Sequence, residues 1–343
     1  MAVTSERAGR NETLCYFAVL LLTPVLLLIA WGSFKIGFEN RFCGDDNAGY
    51  PGYLAAPPPD LLLIGSSHTR QSYNIPAIES ATGRSAYILA YGSLDLNYMD
   101  LLLQDLLRQP ERRPKIVVLE AYSAKLARQP DVGDYRLFYD APPRLKFRLM
   151  ANYLHHHSGI SAWMDLFDLV INRGTDQILT APLNSRILCN LSYKGGYRNK
   201  VVQGITEDEF RSLHAEIAGS YPDKAQLAAL RDIIELCRRD HIRLVLAESP
   251  MPAPISSKPE IQRLKRDFRE EAQANHLPYL DGDAAFPTSD PSLFADAGHL
   301  STAGRDRYTA NLIANFGPVL REQEIEPTLT GLHPMTSPES EKP

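Results

Sequence analysis

Five short apolar runs punctuate the chain, at 61–66 ("LLLIGS"), 86–91 ("AYILAY"), 115–120 ("KIVVLE"), 242–248 ("IRLVLAE") and 278–281 ("PYLD"). None carries a helical period, and runs of this kind read as strands, those without alternation as strands buried on both faces. Between them, 99–109, 224–239 and 259–276 place apolar residues at helical spacing and read as amphipathic helices. Strands alternating with helices predict a mostly parallel five-stranded sheet covered on both sides. That is an α/β, three-layer, flavodoxin-like sandwich.

One segment breaks this rhythm, from about 125 to 221 between the third and fourth strands. It holds two helical patterns, "PPRLKFRLMANYLHHH" (142–157) and "ISAWMDLFDLVINR" (160–173), then the Gly- and Tyr-containing "YKGGYRN" (193–199). An insertion of this size at the strand ends is placed to form a lid or a substrate wall. The remaining organisation is a tail and anchor over 1–38, a Gly/Pro/Asn-rich linker over 39–59, the α/β domain over 60–317, and a disordered tail over 318–343 without a core pattern.

The N-terminal pattern differs in kind. From 14 to 34 the chain reads "LCYFAVLLLTPVLLLIAWGSF" without a charged residue, long enough to cross a bilayer as a helix. Pro24 is tolerated in such a helix, and Trp31 lies where interfacial aromatics are favoured. A small-x-small site at Ala30–Gly32 leaves a cleaved signal open, but the run exceeds a usual signal core. The expectation is an uncleaved single-pass anchor, N-terminus cytoplasmic, with the domain extracytoplasmic.

Composition narrows the partners. The 343 residues carry 36 Lys+Arg against 41 Asp+Glu, a net charge of −5, with a pI near 6.0. This argues against the basic surface that nucleic-acid binding needs. Of four cysteines, Cys15 lies in the apolar run and Cys237 on the apolar face of a helix, as core. Cys43 and Cys189 form the one neat disulfide pairing and suit an oxidising compartment, though spacing leaves connectivity open.

Candidate chemistry sits at the strand ends. The first run enters Gly65-Ser66-Ser67-His68, where Gly65 lets the chain turn sharply and a serine either caps the next helix or acts as a nucleophile. A serine nucleophile needs a base, and the base needs a group to orient it. Asp296 and His299, three apart after the last strand, open on the same sheet edge as Ser67. His68 is too close in sequence to be the partner of Ser67. Glu120, ending the third strand, is either a site residue or a cap, and Glu248 stands at the matching end of the fourth. His155, His156 and His157 are consecutive on a helix and point in different directions, a poor metal set. No metal or cofactor is expected.

In order and placement, Gly65-Ser66-Ser67 and Asp296-Ala-Gly-His299 resemble the first and last blocks of the SGNH (GDSL-like) hydrolase superfamily. The resemblance implies Ser67 as nucleophile, His299 as base and Asp296 as its orienting carboxylate. It also implies a Gly92 amide in the oxyanion hole, and Glu120 is grouped with it as an oxyanion or substrate residue. Two departures stand out: Ser66 replaces the usual aspartate, and "VVLEAYSAK" after the third strand lacks the Gly-x-Asn-Asp block. With the anchor, the pattern is similar to membrane-anchored members that handle acyl groups on envelope polymers, such as D-alanyl transfer proteins and alginate-type O-acetyltransferases. Such proteins work beside a membrane-bound O-acyltransferase. The expected activity is a serine esterase or O-acyltransferase on an envelope polysaccharide. The rival readings are a simple lipase or esterase, and a catalytically silent scaffold that binds glycan or the acyltransferase.

Overall fold

The computed structural model describes residues 22, 23, 27, 49–134, 136–167, 202–214, 217, 219–284 and 286–321. Five parallel strands, β1 (Leu61–Gly65), β2 (Ala86–Ala90), β3 (Ile116–Glu120), β4 (Arg243–Ala247) and β5 (Tyr279–Leu280), form one sheet in the order β2-β1-β3-β4-β5. Every residue of β1, β2 and β3 is buried, as the uninterrupted apolar runs require.

Strand alternation divides the core in two. Leu62, Ile64, Leu89, Val117 and Leu246 face one side, against the helices Leu96–Leu106, Pro143–His156 and Lys224–Arg239. Leu61, Leu63, Ile88, Val118 and Val245 face the other, against the helices Ile75–Thr82 and Thr302–Arg321. The expected three-layer α/β sandwich is therefore present. Cys237 is a buried free thiol, as its place on an apolar helix face requires. Because β1 pairs with β2 on one side and β3 on the other, the connections reverse direction between β1 and β3. That is the position at which open α/β sheets bind ligands.

Three expectations change. Residues 49–55 are not linker: Gly49–Ala55 is a helix whose Tyr50 and Tyr53 are 1% and 0% exposed. Tyr50 donates its hydroxyl to Asp105 at 2.5 Å, and Tyr53 meets Tyr87 edge to face. Aromatic burial outweighs the Gly and Pro content that made the stretch look like a spacer. The insertion helix Pro143–His156 is not a lid either, because Leu145, Leu149 and Tyr153 join the main core. Finally, the last helix runs beyond 317 to Arg321, its end held where Arg84 and Arg243 donate to the Leu320 and Val319 carbonyls.

The remainder of the tail, the stretch 168–200 with "YKGGYRN", Cys43 and Cys189 lie outside the described residues. So does the apolar run 14–34, apart from Leu22, Thr23 and Leu27. Among the described residues, no helix is long and apolar enough to cross a membrane.

Candidate active site

Ser67 opens a short helix, Ser67–Ser72, directly after β1. The turn before it is built around a buried carboxylate. Glu120, 3% exposed at the end of β3, accepts the Ser66 amide at 2.7 Å and the Ser66 hydroxyl at 2.6 Å. It also accepts the Thr69 amide at 3.0 Å and the Thr69 hydroxyl at 2.6 Å. Lys125 lies 3.8 Å away. Burial opposes the charge on Glu120, but Lys125 and these donors outweigh it and hold the carboxyl below its ordinary range. Of the two readings of Glu120, the structure therefore supports the cap. As an oxyanion or substrate group it is corrected, since its oxygens are committed to the turn and a carboxylate would repel an oxyanion.

The base arrives from the far end of the chain. The loop carrying it is closed by an antiparallel bridge between Phe294 and Leu300 and by the Ala295 amide donating to the His299 carbonyl at 2.8 Å. Inside that loop, Asp296 Oδ1 accepts the amides of Gly298 and His299 at 2.8 and 3.0 Å. The His299 Nδ1 lies 2.9 and 2.8 Å from the two carboxylate oxygens, and Nε2 lies 2.9 Å from Ser67 Oγ. A carboxylate only accepts, so Nδ1 carries the proton and Nε2 offers its lone pair to the serine. Burial pushes the Asp296 carboxyl up, yet the His299 ring and the two amides more than offset this and keep it below the ordinary aspartate range. The structure thus brings Ser67, His299 and Asp296 into one hydrogen-bonded series.

Gly92 is placed differently from expectation. Its amide donates to Asp134 Oδ2 at 2.9 Å, so the expected oxyanion donor is engaged within the protein. Asp134 comes from the insertion and is gripped by Arg136 at 2.5 Å. Burial raises its carboxyl, and Arg136 and the Gly92 amide bring it below the ordinary value. By contrast, the amides of Ser66, His68 and Thr69 have side-chain acceptors, and that of Ser67 makes no hydrogen bond among the described residues.

Glu248 does not line the site as a free carboxylate. It accepts from Ser123 at 2.6 Å and Tyr279 at 3.0 Å and pairs with the buried Lys265 at 3.1 Å. The three consecutive histidines end and follow the helix Pro143–His156, and no set of three metal-ligating side chains occurs among the described residues. Asp134 carried no sequence signal: it lies 42 residues from Gly92 in a segment without periodicity.

No family model matches the chain, and no curated protein matches it. Among solved structures, it is similar to an acylhydrolase candidate of Bacteroides fragilis at 13% identity and a TM-score of 0.41, covering 78% of this chain and 94% of that one. It is also similar to a lipase/acylhydrolase of Enterococcus faecalis at 12% identity and a TM-score of 0.38, covering 77% and 98%. An acetyl xylan esterase of the rumen bacterium Butyrivibrio proteoclasticus gives 9% identity and a TM-score of 0.32, covering 76% and 63%. The chemical reading therefore rests on the site itself.

Proposed function

We propose that the chain is a serine acyl-transfer enzyme of the SGNH-like type. In this reading it is anchored in a membrane through 14–34, faces the extracytoplasmic side, and acts as an esterase or O-acyl (acetyl) transferase on an envelope polysaccharide. The observation that carries the chemistry is the series Ser67 Oγ, His299 Nε2 and Nδ1, Asp296, with contacts of 2.8–2.9 Å. Nε2 takes the Ser67 proton as Oγ attacks an ester carbonyl, and returns it to the departing alcohol. The acyl-serine is then attacked by water or a sugar hydroxyl, whose proton passes to His299 and back to Ser67. Anchoring, the polysaccharide and a membrane-bound O-acyltransferase as partner are supported by the apolar run and the sequence resemblance.

The site is open, with the Asp296 side chain 56% exposed. Water reaches it, so transfer to a sugar in preference to hydrolysis requires a covering surface, a role that suits the membrane partner. A second reading, a catalytically silent binding scaffold, is favoured by one observation: the Gly92 amide is already taken by Asp134.

Treatment with a fluorophosphonate, followed by mass spectrometry, tests the reading. The expected adduct is on Ser67 and weakens in His299→Ala. Folded protein that forms no adduct supports the scaffold.

A further inference from the structure

His68 is adjacent to Ser67 and only 8% exposed, yet the hydrogen-bond partner of its ring lies 230 residues away. Its Nδ1 forms a short hydrogen bond with the carbonyl oxygen of Gly298. A carbonyl only accepts, so the proton is on Nδ1. One face of the ring stacks on Tyr122 at a centroid distance of 3.8 Å and 20°. The His299 ring lies 5.1 Å from it at 22°. Gly298 is one residue before His299 and two after Asp296, and a Cβ there would lie 2.5 Å from Cε1 of His68. The glycine is thus required by the approach of this ring.

We propose that His68 is a positioning residue of the site, a strut that joins the nucleophile helix to the loop bearing Asp296 and His299 and sets the His299 ring against Ser67. The two halves of the site come from opposite ends of the domain. Alongside the 2.9 Å Ser67–His299 contact itself, the His68–Gly298 bond joins helix Ser67–Ser72 to the 295–299 loop. Tyr122, at the start of the segment after β3, stacks on the ring, so the strut is packed against its neighbours. Burial, the largest influence, pushes the His68 imidazole down to about 3, with Glu120 opposing and Lys125 and His299 adding to the depression. The strut therefore stays uncharged while His299 takes up its proton, and places no like charge beside it. A displacement on the order of 1 Å at such a contact can cost about 100-fold in rate.

This inference rests on the serine acyl-transfer reading, and the test separates the two. Hydrolysis of p-nitrophenyl acetate and fluorophosphonate labelling are measured on the full chain and on His68→Leu, His68→Asn and Gly298→Ala. The expected result is a fall in kcat of about 10- to 100-fold for His68→Leu with KM within about twofold. His68→Asn, whose amide N–H can reach the Gly298 carbonyl, should recover most of that loss. Gly298→Ala displaces the ring from the loop side and should reproduce the kcat loss, which keeps the test in force if His68→Leu fails to fold. An active wild type whose folded His68→Leu and Gly298→Ala keep full kcat overturns the strut alone. So does a loss in His68→Leu that His68→Asn does not relieve. A wild type that neither hydrolyses the ester nor labels at Ser67 overturns the reading, and the strut with it.

Discussion

A Cβ on Gly65 would lie 2.4 Å from Oε2 of Glu120, so the turn that presents the serine is built around a carboxylate occupying a side chain's space. Gly65 is needed for this close approach, and the sharp turn expected of it is secondary, since it is not among the glycines with positive φ. Gly65→Ala should therefore displace Glu120 and abolish labelling of Ser67. Glu120→Gln sets a donor against the donors of Ser66 or Thr69 and should cost about 2–3 kcal/mol of stability. Fluorophosphonate labelling checks the first variant and urea unfolding the second, and an unaltered midpoint in Glu120→Gln would refute the account of the turn.

Asp296 fixes which nitrogen of His299 faces Ser67. Asp296→Asn keeps the size of the side chain but can present its amide to Nδ1, favouring the opposite tautomer. The kcat for ester hydrolysis should fall by about 10²- to 10⁴-fold with little change in thermal stability, because the side chain is largely exposed. Steady-state kinetics at neutral pH decide this; a loss below about threefold would remove Asp296 from the mechanism.

The engagement of Gly92 by Asp134 makes an opposite prediction. If an acyl oxyanion is to use the Gly92 amide, the carboxylate must leave, so Asp134→Ala should raise kcat toward small esters. One oxyanion donor is worth about 10²- to 10³-fold, which bounds the gain. Because Asp134 is held below the ordinary aspartate value, lowering the pH from 7 to 5 leaves it charged and should not substitute for the mutation. Unchanged kcat in Asp134→Ala would show that Gly92 takes no part.

Lys265, 1% exposed, braces Glu248, Asp281 and Asp283 at 3.1, 3.3 and 2.7 Å. Burial alone would depress its ammonium, but the three carboxylates outweigh burial and raise it above the ordinary lysine value of 10.5. A cation so raised contributes stability that is fully present below the unfolded value and is lost as pH climbs through the folded one. Lys265→Ala should cost about 3–5 kcal/mol. The difference from wild type should stay flat between pH 6 and 9 and shrink only above about 10.5. Chemical denaturation across that range is the measurement, and a difference that fades near neutrality would contradict it.

The helix Gly49–Ala55 defines the working domain boundary. A chain beginning at Asp60 loses two buried tyrosines, Tyr50 and Tyr53, and should be less stable than one beginning at Gly49 by about 3–6 kcal/mol. Equal melting temperatures for the two would restore the stretch to the linker.

Strand positions, the long helices and the order of the Ser67 and Asp296–His299 blocks were legible from the chain alone. They depend on local periodicity: a run buried on both faces is apolar at every position, and an amphipathic helix repeats its apolar residues at helical spacing. The convergence of Ser67 and His299, 232 residues apart, followed from one topological rule, that parallel strands end on a common edge. Local pattern could not reveal which group would claim each hydrogen bond at that edge. Glu120 as a cap, Asp134 on the Gly92 amide and His68 on Gly298 are pairings over 54, 42 and 230 residues. They depend on approach distances between side chains and backbone, which arise only when the packed layers bring those atoms within hydrogen-bonding reach.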